Sequence, residues 1–270
     1  MIDIIKEEIN KADALVLGIG SGLSTAAGLE YGGQRFETLF SEFIETYGLT
    51  DMYSSGFYNF ETPEKRWAYW ANHIYYNRYH AVVNDVYKNL RQVISQKDYF
   101  VITTNADHLL YLNGFDSQRI FPTQGDYGLL QCSKGCHNKV YDNESLIHEM
   151  IEKQDQLKVP SELVPYCPVC GQEMDPHLRK DDLFVETDQW LLDYENYSAF
   201  INKYKDKRIL FIELGVGYNT PGIIKYQFWR LTYQFEKARY MCINNGQARC
   251  PEEIKDKSIL INDNLAKILN

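Results

Sequence analysis

Four short apolar runs separated by helical patterns, a glycine-rich turn after the first run, and two close pairs of cysteines predict an α/β fold. The expected architecture is a Rossmann-like parallel sheet with an inserted zinc-ribbon small domain and a helical module. The opening segment places Ile2, Ile5, Ile9 and Ala12 at the spacing of one helical face. ALVLG (Ala14 to Gly18) is apolar throughout, the mark of a short strand buried on both faces. GIGSGLSTAAG (Gly18 to Gly28) follows directly, rich in glycine and then helix-like. DYFVITT (Asp98 to Thr104), RILFIEL (Arg208 to Leu214) and ARYMCIN (Ala238 to Asn244) are further strand-like runs. Strands that alternate with helical patterns form parallel sheets.

Two stretches break the alternation. Residues 46–92 are crowded with aromatics, and Trp67, Trp70 and Ile74 recur at helical spacing, which predicts a helical module. Such a stripe is core packing or, as the alternative, a groove that also meets a ligand. Residues 127–180 form a cysteine-bounded insert with a helix expected from Asn143 to Gln154. The large domain is then expected from 1–45, 93–126 and 181–270, and a chain of 270 residues suits one such unit carrying inserts.

Composition narrows the partners. Lys+Arg number 28 against 37 Asp+Glu, for a formal charge of −9, which disfavours non-specific attraction to nucleic acid or to an anionic membrane face. Hydrophobic residues at 44% and charged residues at 24% are ordinary for a globular protein and argue against disorder. No run approaches the ~20 apolar residues of a spanning helix. The start, MIDIIKEEIN, is acidic where a secretory signal would be basic. The expectation is a soluble cytoplasmic protein with neither nucleic acid nor membrane as partner.

Six cysteines are too sparse for a disulfide scaffold, and four come in pairs. Cys132 and Cys136 are spaced C-x3-C; Cys167 and Cys170 are spaced C-x2-C within CPVCG. Knuckles of this kind bring two thiolates from one tight turn to a tetrahedral ion, and a second pair closes the site, so a structural zinc is expected on these four. The alternatives are unrelated thiols or a redox dithiol, and the latter leaves one pair without a purpose. His137 and His177 stand near enough in sequence to be rival ligands. Cys242, inside an apolar run, is expected to be a buried thiol.

The turn after the first strand is where chemistry is expected. Glycines let backbone N–H groups approach phosphate oxygens at the start of a helix. Gly18, Gly20, Gly22 and Gly28 surround Ser21, Ser24 and Thr25. The spacing fits neither G-x-G-x-x-G nor the P-loop pattern, which argues against a P-loop NTPase. The other strand ends are polar too: TTNADH (Thr103 to His108), ELGVGYNTPG (Glu213 to Gly222) and INNG (Ile243 to Gly246). One such end is routine helix capping, but four together favour a cofactor crevice at the carboxyl edge of the sheet.

At these residues the chain resembles the sirtuins. GSGLSTAAGL (Gly20 to Leu29) is similar to G-A-G-[IL]-S-x-x-x-G-I, TTNAD (Thr103 to Asp107) to T-Q-N-I-D, and TQG (Thr123 to Gly125) to L-H-G. The cysteine pairs follow, GVG (Gly215 to Gly217) stands where G-T-S is expected, and Asn244 matches the late strand-end Asn. The resemblance spans about residues 12–246. Ser21 stands for the Ala of the first motif, and three departures matter: EYGGQRF (Glu30 to Phe36) replaces the P-D-F-R after that motif, Thr104 replaces a Gln, and Gln124 replaces the catalytic His. That combination resembles the class M, macrodomain-linked branch, whose members are NAD-dependent protein ADP-ribosyltransferases acting on a lipoylated carrier similar to the glycine-cleavage H protein.

The resemblance implies NAD as co-substrate and zinc as structural metal. It implies that Asn105 contacts the nicotinamide ribose and Asp107 the nicotinamide carboxamide, with helix capping as the plainer role for Asp107. Gln124 is expected to orient a ribose hydroxyl or the acceptor. Gly20, Ser21, Gly22, Ser24, Gly28, Gly215 and Gly217 are expected around the pyrophosphate, Asn219, Asn244 and Asn245 on the adenosine side, and Arg35 and Phe36 on a lid over the nicotinamide. A glutamine amide cannot accept a proton near neutral pH as a general base does. The expected activity is therefore ADP-ribose transfer to a protein, with a linked macrodomain hydrolase as companion. NAD hydrolysis, weak deacylation and silent NAD binding are the competing expectations.

Overall fold

A computed structural model describes residues 2–269. Among the described residues the strands are β1 (Ala14–Ile19), β2 (Asp98–Thr103), β3 (Ile120–Pro122), β4 (Gly125–Cys132), β5 (Tyr141–Asp142), β6 (Met174–Leu178), β7 (Ile209–Leu214), β8 (Arg239–Ile243) and β9 (Ser258–Ile261). The chain divides into two compact units. The first holds the residues up to Gly28, Val82–Gln124 and those from Asp188 onward; the second holds Leu29–Ala81 and Gly125–Thr187.

The first unit is built on a six-stranded sheet in the order β3-β2-β1-β7-β8-β9, parallel throughout. All six residues of β1 and of β7 are buried, as their unbroken apolar sequences require of central strands. The chain steps outward from β1 to β3, then returns to lay β7 on the other side of β1. The order reverses between β1 and β7, and the crevice outside the carboxyl ends at such a point is where open α/β sheets bind ligands. One sheet face carries Val16, Phe211, Tyr240 and Cys242 against Ile224 and Phe228. Gly18 has no side chain because a Cβ there would stand 2.7 Å from the Phe228 ring. The outer strands β3 and β9 were not legible as apolar runs. They are three and four residues long, and β3 ends on Pro122, tolerated because an edge residue need not donate to a ladder.

The second unit holds the aromatic module. Its helix Pro63–Ile74 starts on Thr62, whose hydroxyl accepts from the Lys65 N–H at 3.4 Å, with proline in the first turn. Trp67, Tyr69 and Ile74 are fully buried, so the stripe is core. The helix continues into a π-helical turn, Tyr75–Tyr79. The unit starts at Leu29, earlier than the sequence boundary at 46, because Phe36 and Phe40 stack at 5.3 Å and Phe40 meets Tyr69 at 5.5 Å. The cysteine insert folds as an antiparallel sheet, β5-β4-β6, with the helix Glu144–Lys153 burying Ile147 and Met150. No helix among the described residues is long and apolar enough to cross a membrane.

Candidate active site and cysteine centre

The carboxyl ends of five parallel strands are tied together by backbone hydrogen bonds beyond the strands themselves. Gly20 N–H donates to Leu214 O at 3.0 Å, Gly22 N–H to Gly215 O at 2.9 Å and Gly215 N–H to Ile243 O at 3.0 Å. Thr104 N–H donates to Ile19 O at 3.1 Å, and Thr123 N–H to Thr103 O at 2.9 Å. The glycines are dictated by this contact. A Cβ on Gly20 would stand 2.7 Å from Gly215 O, one on Gly22 2.7 Å from the Gly215 Cα, and one on Gly215, at φ +62°, 2.6 Å from the Gly22 Cα. The backbones at the β1 and β7 ends therefore touch, and this mutual approach already requires glycine. Gly28, at φ +92°, serves the turn that leaves the helix Ser21–Ala26. Gly217 differs: among the described residues none beyond its chain neighbours lies within 4 Å of a Cβ built there, and its φ is outside the left-handed region.

Behind the turn lies a buried polar hub. Ser24, 2% exposed, donates its hydroxyl proton to Asp107 and lies 3.2 Å from Tyr87 Oη. It also accepts from Asn105 Nδ2 at 2.9 Å. With its single proton on Asp107, Ser24 accepts from Tyr87 and Asn105 and is saturated. Ser24 thereby ties Asn105, Asp107 and Tyr87 together. Asn105 Nδ2 also donates to Gly20 O at 3.0 Å, so both amide protons are committed, while its Oδ1 makes no hydrogen bond among the described residues. Asp107, 4% exposed, accepts the Leu109 N–H at 3.0 Å, beside the helix Leu109–Leu112, whose N-cap position is His108. Tyr87, which the sequence did not single out, is the hub's fourth member; burial, reinforced by the Asp107 charge, pushes its phenol well above the usual range.

The remaining expected residues separate into buried and open. Gln124 sits in the turn after β3, half-buried, its amide without a hydrogen bond among the described residues. Ser21, Asn219 and Asn245 are exposed. Asn244, 9% exposed, donates to Val216 O at 2.9 Å and so braces the β7 loop from β8. Arg35 and Phe36 are not placed as a lid. Phe36 is 1% exposed in the aromatic core of the second unit, and Arg35 donates to Glu30 O, Tyr76 O and Asn77 Oδ1 at 2.9–3.0 Å. Burial lowers the Arg35 pKa from its usual value. The helix Gly33–Leu39 that carries them has become part of that core.

The four paired cysteines converge in the second unit. Their sulfurs lie within 4.8 Å of one another, with Cys132 Sγ 3.5 Å from Cys170 Sγ and Cys136 Sγ 3.6 Å from Cys167 Sγ. Sulfurs at ~2.3 Å around a tetrahedral zinc stand about 3.8 Å apart, so this set fits zinc and leaves no position for substrate. Burial disfavours the Cys132 thiolate, but the Cys136 and Lys134 N–H groups outweigh it and lower the thiol to about 6. His137 Nδ1 lies 3.0 Å from Cys136 Sγ, while its Nε2 pairs with Tyr141 Oη at 2.9 Å, the arrangement of a neighbour to the ligands. His177 is no rival: its ring stacks on Phe184 at 4.6 Å and its Nε2 meets Val185 O at 2.9 Å.

No family model matches the chain. It is 33% identical over 268 residues, 99% of its length, to the "Protein ADP-ribosyltransferase" of Staphylococcus aureus, and covers 85% of that protein. It is 29% identical over 239 residues to a Fusarium oxysporum f. sp. cubense protein named "Probable bifunctional ADP-ribose hydrolase/ADP-ribosyltransferase", covering 83% of this chain and 39% of that one. Among solved structures, "Sir2 bound to acetylated peptide" superposes with a TM-score of 0.62 at 18% identity, covering 100% of this chain and 95% of the other. "Sir2-p53 peptide-NAD+" gives 0.57 at 18% identity, with 100% and 95% covered. With its parallel sheet, its four-cysteine centre and 33% identity to the staphylococcal protein over 99% of its length, this chain belongs to the protein ADP-ribosyltransferases built on the sirtuin fold.

Proposed function

We propose that this enzyme uses NAD to transfer ADP-ribose to an acceptor protein, and that the acceptor is a lipoylated carrier similar to the glycine-cleavage H protein. The strand ends of the first unit suit a dinucleotide: the order reversal between β1 and β7 puts the glycine turn, Asn105 and Gln124 on one edge of the sheet. Gly217, with open space where a Cβ would be, leaves room for a ligand to approach the backbone. Bound NAD would supply a ribose carbon from which nicotinamide departs as an acceptor nucleophile arrives. The chain's part is positioning. Asn105, both amide protons fixed by Gly20 and Ser24, offers a rigid Oδ1 toward positive charge developing on that ribose. Asp107, braced by Ser24 and the Leu109 N–H, keeps this edge electronegative.

The observation that carries the reading is Gln124. Its half-buried amide makes no hydrogen bond among the described residues, which leaves it to hold a hydroxyl, yet it cannot take the proton. Losing a general base removes ~10²–10⁴ in rate from a step that needs one, which handicaps deacylation and leaves nicotinamide departure untouched. A linked macrodomain hydrolase would reverse the modification.

Intact-protein mass spectrometry of a candidate carrier, with and without its lipoyl group, tests the reading. A gain of one ADP-ribose on the lipoylated form, lost with Asn105→Ala, is expected. Nicotinamide accumulating with no mass gain favours NAD hydrolysis; no nicotinamide at all favours a silent binder.

A further inference from the structure

Lys225 and Glu213 form an ion pair with both side chains 0% exposed. Glu213 stands near the end of β7, and Lys225 is the first residue of the helix Lys225–Gln234. Tyr240 donates its hydroxyl to Glu213 Oε2 at 2.7 Å, and Cys242 Sγ lies 3.3 Å from Oε1. The Cys242 thiol is pushed up to about 12 by burial and then by the Glu213 charge. A buried ion pair of this kind adds little net stability. Desolvating two charges offsets their attraction, and apolar residues of equal volume do as well or better. Lys225 carries a second penalty, since a cation at a helix N-terminus faces the positive end of the dipole.

The ammonium has three N–H donors. One meets Glu213, and the ammonium also lies over two rings, with the Tyr218 centroid at 4.8 Å and the Trp229 centroid at 5.8 Å. Trp229 packs against the core, but Tyr218 is 41% exposed and follows Gly217 in the loop at the switch-point end of β7. An aromatic ring with a cation fixed under one face has its electron density drawn to that side. The outer face is then less repulsive to an electron-rich heterocycle stacking on it.

We propose that Tyr218, held from beneath by the Lys225–Glu213 pair, is the stacking surface for the adenine base of the dinucleotide. This rests on the reading that the unit binds NAD. Lys225 is a positioning residue that touches no ligand and acts through the ring.

Calorimetric titration of the full chain with NAD, and with nicotinamide mononucleotide as the adenine-free probe, tests this. Tyr218→Ala is expected to weaken NAD about 5- to 150-fold, the equivalent of the ~1–3 kcal/mol carried by one base–aromatic stack, and Tyr218→Phe to recover it. Nicotinamide mononucleotide is expected to bind all three proteins alike. Lys225→Met alone strands a buried carboxylate, so the charge is removed in the double variant Lys225→Met/Glu213→Gln, expected to weaken NAD about 2- to 30-fold. Adding Tyr218→Ala to it is expected to cost no more than Tyr218→Ala alone. Unchanged NAD affinity in Tyr218→Ala overturns the stacking role, as does an equal loss for the adenine-free probe. Additive losses overturn the positioning role of Lys225, and a double variant that does not fold leaves the Tyr218 series to decide. Wild-type protein that binds no NAD overturns the parent reading and this one together.

Discussion

The strand-end edge of the first unit and the cysteine centre of the second both gather segments far apart in sequence, by opposite means. At the edge the contact is backbone on backbone: Gly22 and Gly215 meet where no Cβ fits, and the Ser24 hydroxyl links Asn105, Asp107 and Tyr87. At the centre, four sulfurs crowd within 4.8 Å with no internal pairing of charge. Thiolates so placed repel one another until a dication neutralises them. The edge is therefore held together by its own hydrogen bonds, while the centre has the ligand set of a structural zinc and needs such a dication to offset its thiolates. A transfer site that works by positioning needs the first kind of construction.

Metal removal should separate the two most sharply. Structural zinc is worth ~10–16 kcal/mol in small zinc domains, so a chelator, or Cys167→Ser, is expected to release the metal and abolish amide-exchange protection in β4 and β6. Protection in β1 and β7 is expected to remain; its loss there would break the comparison.

Acid should then act on the second unit. His73 is buried among the rings of Tyr31, Trp70 and Tyr127. Burial, followed by the Arg35 charge, lowers its pKa from 6.5 to about 3. The folded state keeps this imidazole neutral while the unfolded chain protonates it, so the unfolded state binds more protons between those values. The stabilisation is whole above about pH 6.5 and is lost as pH falls toward about 3, at up to ~1.4 kcal/mol per pH unit. Denaturant midpoints taken across that range should show the slope, and His73→Phe should flatten it.

The smallest pair of effects sharpens the account of the edge. Gly215→Ala meets both a positive φ and a 2.6 Å overlap, and about 2–4 kcal/mol of lost stability is expected in urea titration. Gly217→Ala meets no described residue beyond its chain neighbours within 4 Å and should change stability by no more than ~0.5 kcal/mol, yet weaken NAD. Equal stability losses at the two positions would remove the distinction between glycines required by the fold and the glycine left for a ligand.

How much of this was legible follows the same division. Cysteine spacing declares its geometry because a tetrahedral ion accepts few arrangements, and apolar runs with polar ends reveal central strands of a parallel sheet. The glycines of the turn were legible as a cluster, but their cause was not. A sequence does not say that Gly22 will lie against Gly215, and phosphate approach and backbone contact call for the same residue. Tyr87 was invisible because its partner Ser24 lies 63 residues away and a tyrosine in an amphipathic helix reads as core. Phe36 misled for the converse reason: its likeness to a lid motif was local, whereas its burial comes from Phe40 and the rings beyond.

The central claim is that an edge bearing Gln124 in place of a base transfers ADP-ribose instead of removing acyl groups. One reaction tests it: NAD, the lipoylated carrier and an acetyl-lysine peptide incubated together with the enzyme, and both candidate substrates weighed by mass spectrometry. The account predicts one ADP-ribose on the carrier and an intact acetyl group on the peptide. A deacetylated peptide beside an unmodified carrier would contradict it.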